Sequence, residues 1–345
     1  MPGTCAEGIW RALGERGALR ELYRDSGSRV RVDLTRAREL MLEVDARCSL
    51  GVALGVCVQI SSALPALLDA GSGEVARAVA ESALRGEAVV ALAATDDAAA
   101  GSDLTALGTS VRIDGDRVVV DGGKRWITNA TRADHFLVLA RHRPGEHFTS
   151  FTTVLVPANA PGVSTEAATT RLFDGSGIGS VRLDQVRLDA AHLVGRPGQG
   201  LARFAHGMIA ERLVGGAWAA ALLRRVLVET YRHLAGARRG GAPLWDDEVV
   251  RRRFARCVLV QRRLDALCRT AEDAAHAMVV KASAAEAVDE VLAECAALRG
   301  AEAFGTGGLH ELRAAAAMWG VAGGTTDTML GGIAAHTRQL LEPLP

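Results

Sequence analysis

Residues 122–134 read Gly-Gly-Lys-Arg-Trp-Ile-Thr-Asn-Ala-Thr-Arg-Ala-Asp. The stretch follows the alternating run Val118-Val119-Val120-Asp121, so it is expected at the exit of a strand. Trp126, Thr128 and Asn129 place one large ring, one β-branched hydroxyl and one amide within four positions. Such a set suits the plane and the heteroatom edge of a flat ring system. Upstream, Thr95-Asp96-Asp97-Ala98-Ala99-Ala100-Gly101-Ser102-Asp103 is a small-residue loop after the strand-like run Val89 to Ala94.

Further strands are expected at Ser110 to Asp114, Arg117 to Asp121, Phe136 to Arg141, Thr152 to Pro157 and Ser180 to Val186. Asp114-Gly115-Asp116 between two alternating runs is a hairpin signal. Strands at this spacing with no helix between them indicate an antiparallel sandwich or barrel and not a doubly wound sheet. No Gly-x-Gly-x-x-Gly opens a helix, which argues against a Rossmann dinucleotide site.

Helical patterns flank these strands. Ile9 and Leu13, then Leu19 and Leu22, sit at one-face spacing. Leu40 to Val44, Leu50 to Leu68 and Glu74 to Leu84 predict further helices, with Asp33 to Thr35 as a cap and Gly71-Ser72-Gly73 as a turn. After the Gly/Pro linker Gly195 to Gly200, Ile209, Leu213, Gly216, Ala220, Leu223 and Leu227 mark one long amphipathic helix with a small-residue seam. Gly236 to Pro243 breaks it. Val249 to Lys281, Ala284 to Leu298, Leu309 to Trp319 and Thr325 to Leu341 complete a bundle. The expected fold is therefore α+β and multidomain: an N-terminal helical domain (1–88), a central antiparallel β-domain (89–195) and a C-terminal helical bundle (196–345).

The 345 residues are 49% hydrophobic and 23% charged, the composition of a globular chain. Lys plus Arg equals Asp plus Glu, so no basic excess suggests nucleic acid or an anionic membrane. Arg251-Arg252-Arg253 and Arg262-Arg263 are flanked by Asp246, Asp247, Glu248 and Asp265, as on a solvated or phosphate-facing helix. Cys5, Cys48, Cys57, Cys257, Cys268 and Cys295 form no Cys-x-x-Cys pair and no metal-ligand spacing with His, as expected of thiols in a reducing cytosol. No signal pattern opens the chain, and no uninterrupted apolar run is expected to be long enough to span a bilayer. A cytoplasmic protein is the expectation.

The helix–strand–helix order and three motifs resemble the acyl-CoA dehydrogenases. Gly122 to Asp134 is similar to that family's Gly-x-Lys-x-Trp-Ile-Thr-Asn-x-x-x-Ala-Asp. Thr95 to Asp103 resembles Thr-Glu-Pro-x-Ala-Gly-Ser-Asp, with one extra residue and Asp96-Asp97 in place of Glu-Pro. Val181 to Leu188, through Leu193-Val194-Gly195, resembles the family's closing strand and exit. The resemblance covers about residues 38–341. It implies bound FAD, contacted by Thr95, Gly101, Ser102, Trp126, Ile127, Thr128, Arg238, Arg239 and Thr325. It implies an acyl-CoA or acyl-carrier-protein thioester contacted by Ser102 and Arg212, an electron-transfer acceptor, and a homodimer or homotetramer.

The chain also departs from the family. A carboxylate base takes the α-proton of the thioester in these enzymes, most often from the position before Gly-Thr. Here that segment is Val321-Ala322-Gly323-Gly324-Thr325-Thr326-Asp327, and Gly323 cannot take a proton. Some members place the base before an Arg in the first helix after the β-domain. Ile209-Ala210-Glu211-Arg212-Leu213-Val214 makes Glu211 the candidate here, in a pocket whose desolvation would raise its pKa. The alternative is an Arg-paired or solvent-facing helix Glu. The adenine-facing motifs are eroded as well. Ala237 to Leu244 lacks the expected Phe, Ala297 stands where a Gln is usual, and the N-terminal bundle is shorter by about one helix. Two other readings follow from these losses: a non-catalytic or half-active subunit paired with a paralogue, or a repurposed member acting as flavin oxygenase, lyase or cyclase.

Overall fold

The strand that carries Val118 to Asp121 does not stop there; it runs on through Ile127. The computed structural model describes residues 6–25, 30–69, 73–97, 101, 103–271 and 273–342. Two compact units result where the sequence suggested three regions. The first comprises Met1–Leu40 and Gly51–Glu211, the second Met41–Leu50 and Arg212–Pro345.

Unit 1 begins with α1 (Ala6–Glu15), the hairpin β1 (Tyr23–Asp25) and β2 (Val30–Val32), and α2 (Leu34–Arg47), whose last turns belong to unit 2. It continues with α3 (Leu50–Val58), α4 (Leu64–Leu68) and α5 (Glu74–Leu84). The expected helix around Leu19 and Leu22 is only one tight turn, Arg20–Leu22. Gly17, at a φ of 76°, ends α1 before it. Asp33 caps α2 as expected, accepting from the backbone N–H groups of Thr35 (3.1 Å) and Arg36 (3.2 Å). The Gly71-Ser72-Gly73 turn falls largely on 70–72, outside the described residues.

The expected helix over 50–68 forms but is interrupted by one wide π turn, Gln59–Ala63. Pro65, just inside α4, has no N–H to continue a regular ladder. Leu50–Leu68 is, by length and composition, apolar enough to cross a membrane, contrary to the sequence expectation, and it is mostly buried. It serves here as a core helix. Three side-chain bonds tie these helices to the sheet and explain why the N-terminal helices and strands share one unit. Trp10 Nε1 and Gln59 Nε2 donate to Ala88 O (3.0 and 3.2 Å), and Gln59 Oε1 accepts from Val90 N (3.4 Å).

The sheet comprises β3 (Val90–Ala93), β4 (Ser110–Asp114), β5 (Arg117–Ile127), β6 (His135–Arg141), β7 (Phe151–Pro157), β8 (Val163–Ala167) and β9 (Gly179–Asp189). These seven strands form one sheet in the order β3-β6-β4-β5-β9-β8, with β7 also on β6. Most ladders are antiparallel, including the expected β4–β5 hairpin. The exceptions are at β6, which runs parallel to β3 and meets β4 parallel at Arg141. Alternation along a strand reports which face is buried, not the direction of its partner. Strand β8, with four exposed residues of five, carries too little apolar signal to be expected from sequence.

In unit 2, α6 (Gly200–Gly236) continues from Arg212 onward. After it come the hairpin β10 (Arg238–Arg239) and β11 (Ala242–Pro243), then α7 (Glu248–Thr270), α8 (Ala274–Arg299), α9 (Leu309–Ala316), α10 (Thr326–Ala335) and α11 (Thr337–Leu341). The run Val249 to Lys281, expected as continuous helix, breaks after Thr270 because Asp273 starts a new one, accepting from His276 N at 2.8 Å. The end of α2 is held by Asp45, which accepts from Trp218 Nε1 (3.2 Å) and Arg225 Nε (2.8 Å).

The small-residue seam of α6 has a steric cause. A Cβ on Gly216 would lie 2.2 Å from Val280 Cγ1 of α8. Gly216→Val is therefore expected to lower the unfolding free energy by about 1–3 kcal/mol through overpacking. Thermal or urea denaturation measures it, and an unchanged midpoint would contradict the close approach.

Candidate active site

The buried residues of β5 alternate at Val118, Val120 and Lys124, and the register shifts against β9 between Val120 and Gly122 and again between Lys124 and Ile127. Gly122, at a φ of 143°, permits the first bulge, since a Cβ there would meet Thr109 Cα at 2.7 Å. The second inserts an extra residue, so Arg125 and Trp126 both face outward before Ile127 turns in again. Trp126 has a φ of 56° and is 55% exposed. A non-glycine residue in left-handed backbone, presenting a large ring outward, is the kind of strain found at functional sites.

Lys124 occupies an inward position that the alternation would assign to an apolar side chain. Its ammonium pairs with Asp96 and also donates to Ala94 O (3.0 Å) and Leu139 O (2.7 Å). Asp96 in turn accepts from Gly108 N (2.5 Å), Thr109 N (2.8 Å) and Thr109 Oγ1 (2.9 Å). Both side chains are essentially inaccessible. Burial pushes the Lys124 ammonium down to about 8, with Asp96 opposing that shift. The backbone repeats the link: Arg125 N donates to Thr95 O (3.1 Å) and Asp97 N to Gly123 O (3.2 Å). The two loops singled out in the sequence are thus fastened to each other. Thr95, Trp126, Ile127 and Thr128 come together, with Gly101 beside the Thr95 methyl. Ser102 lies outside the described residues.

Asn129, at a φ of 67°, closes the turn after β5. Its Nδ2 donates to Gly55 O of α3 (3.0 Å), and its backbone N–H donates to Ser176 O (3.0 Å). A Cβ on Gly55 would stand 2.7 Å from Asn129 Oδ1, so this helix needs glycine at the contact.

Glu211, on the unit 1 part of α6, is half-buried. Its carboxylate accepts from Ser62 Oγ at 2.7 Å, a hydroxyl of the π turn. It also faces Cys57, whose thiol is pushed up to about 12 by burial and by the Glu211 charge. An apolar cavity of about 30 Å³ adjoins, lined in part by Ser62, Leu137, Phe204, Gly207 and Met208.

The remaining candidates belong to unit 2. Arg212 Nε donates to Gly323 O (3.3 Å). Gly323 and Gly324 have φ of 70° and 105°, and a Cβ on Gly324 would lie 2.7 Å from Met329 Cε. The segment where a base is usual is therefore a glycine turn in left-handed backbone, which disfavours any side chain with a Cβ. Thr325 caps α10, its hydroxyl accepting from Thr328 N (3.2 Å). Arg238 and Arg239 sit on the exposed β10–β11 hairpin. Arg238 donates to Gly241 O (2.8 Å), and Arg239 pairs with Asp247, the residue that caps α7. These contacts are those of a solvated turn, the alternative to the phosphate role implied by the resemblance.

The sequence grouped Asn129 with the ring-facing set, whereas its amide bonds Gly55 O. It assigned no role to Lys124, Asp96 or Ser62; a lysine in phase with buried valines was the one legible signal, and the other two need their partners in space.

The acyl-CoA dehydrogenase middle domain matches residues 91–188, and the C-terminal domain of the same family matches residues 198–337. An acyl-(acyl-carrier-protein) dehydrogenase, MbtN, of Mycobacterium sp. (strain MCS) is 30% identical over 307 residues, covering 85% of this chain and 75% of the relative. Among solved structures, glutaryl-CoA dehydrogenase from Mycobacterium smegmatis superposes with a TM-score of 0.85 at 20% identity, over 100% of this chain and 88% of that one. The prolyl acyl carrier protein oxidase AnaB does so with a TM-score of 0.81 at 22% identity, over 96% and 90%. This chain belongs to the acyl-CoA dehydrogenase family, a family of oxidoreductases.

Replacing Lys124 by Met would leave Asp96 buried without its cation. The expected loss is about 3–5 kcal/mol of unfolding free energy. Adding Asp96→Asn should recover part of it, as a urea-denaturation double-mutant cycle would measure.

Proposed function

We propose that this chain is an FAD-dependent acyl-thioester dehydrogenase that uses Glu211 in place of the base missing at Gly323. The observation that carries the reading is Trp126, an outward-facing ring in left-handed backbone next to Thr128, on a strand fastened by Lys124 to the Thr95 loop. This geometry fits a flat heteroaromatic cofactor: Trp126, Ile127 and Thr128 would hold the ring system, with Thr95 and Gly101 alongside. When bound, FAD supplies the acceptor for the substrate's β-hydride. Glu211, whose carboxylate accepts from Ser62 Oγ, removes the α-proton. Trp126 would cover the ring plane, and the Thr128 hydroxyl would meet its polar edge.

The acyl group is delivered as a thioester of CoA or of an acyl carrier protein; the relative MbtN is named for the second of these. Turnover would require a separate electron acceptor. We place the enzyme in the cytoplasm as a homodimer or homotetramer. The glycine turn at Gly323 favours one alternative, a half-active subunit that borrows its base from a paralogue.

The purified protein is expected to show flavin absorbance, natively or after addition of FAD, and Trp126→Ala to lose flavin. Glu211→Gln should retain flavin but slow its bleaching by acyl thioester by about 100-fold or more. A colourless protein that takes up no FAD would falsify the proposal. Unchanged bleaching in Glu211→Gln would remove Glu211 from the mechanism.

A further inference from the structure

We propose that Ser62 is a positioning residue: its hydroxyl, turned toward α6 by the π turn of the 50–68 helix, fixes the Glu211 carboxylate in its working orientation and protonation state. The inference rests on the reading of Glu211 as the base and adds a second residue to it.

The geometry is specific to this turn. Ser61 and Ser62 are adjacent and both buried, yet their hydroxyls do different things. Ser61 Oγ donates back to Cys57 O at 2.6 Å, the usual local bond of a helical serine. Ser62 Oγ instead donates across to Glu211 Oε2 at 2.7 Å, over 149 residues of sequence. Gln59–Ala63 is the π segment. One π turn advances the helix face by about one residue relative to a regular helix, and single π turns recur at functional sites. It is the device that releases one serine from local bonding and aims it at the carboxylate.

The surroundings make this bond matter. Cys57 of α3 faces Glu211 but stays a thiol, its pKa pushed up to about 12. Arg203, two turns back on α6, is engaged with Ala66 O at 2.9 Å and lies 4.0 Å from Asp69. Arg212, the next residue along, bonds Gly323 O. The hydroxyl of Ser62 is 3% exposed with its residue and borders the apolar cavity. A hydrogen bond from a hydroxyl to a carboxylate favours the ionised form, the form that accepts a proton. It also restricts the carboxylate's rotamers, which a base needs at the moment of transfer.

The test uses the flavin-loaded protein. The Glu211 carboxyl is followed by ¹³C NMR on glutamate-labelled samples, with Glu211→Gln assigning the resonance. Ser62→Ala, nearly isosteric, should move its titration to higher pH, and Ser62→Thr should return it toward wild type. Flavin bleaching by acyl thioester should show the same pattern: an alkaline shift of the rate profile and a lower kcat with KM unchanged in Ser62→Ala, restored in Ser62→Thr. If Ser62→Ala only lowers the melting temperature and leaves the titration and the rate profile in place, Ser62 is merely a structural tie and the inference fails, while the dehydrogenase reading stands. If the protein takes up no flavin, that reading fails and takes the role of Ser62 with it.

Discussion

A buried cation and a buried carboxylate join the two loops on which the rest of the candidate site depends. Taken alone, either Lys124 or Asp96 would be costly in a core of valines and alanines. Together, with two backbone carbonyls on the ammonium and two backbone N–H groups on the carboxylate, every strong polar group of the pair is matched. The pair's value lies in specificity: only one register of the Thr95 loop against β5 satisfies both. That register sets the second bulge, and the bulge turns Trp126 outward.

Strain and support are arranged around this pair in a consistent way. Trp126 and Asn129 both hold left-handed backbone without being glycine. Asn129 is anchored by Gly55 and Ser176 on either side, so its conformation is overdetermined by its neighbours. Trp126 is held by its strand and leaves its ring exposed. The contrast separates a residue that fastens the fold from one that presents a surface.

The lack of a side chain at Gly323 has a backbone explanation in unit 2. Gly323 and Gly324 occupy conformations that favour glycine, and Gly324 is further walled by Met329. Arg212 uses the Gly323 carbonyl, so the turn serves as a structural contact. In unit 1, the Glu211 carboxylate accepts a hydrogen bond from Ser62 Oγ.

The sequence by itself determined the family, the order of helices and strands and most strand bounds. These are local: periodicity, turn residues and a contiguous motif are written in adjacent positions. It could not tell that Val118 to Asp121 and Trp126 share one strand, because a bulge breaks the alternation that identifies strands. Nor could it tell that β3 and β4 lie parallel to β6, or that Arg239 would be paired with Asp247. The tertiary structure decided what Lys124, Asp96 and Ser62 do. Each acts through a partner distant in sequence, and a buried polar group's role is set by what stands opposite it in space.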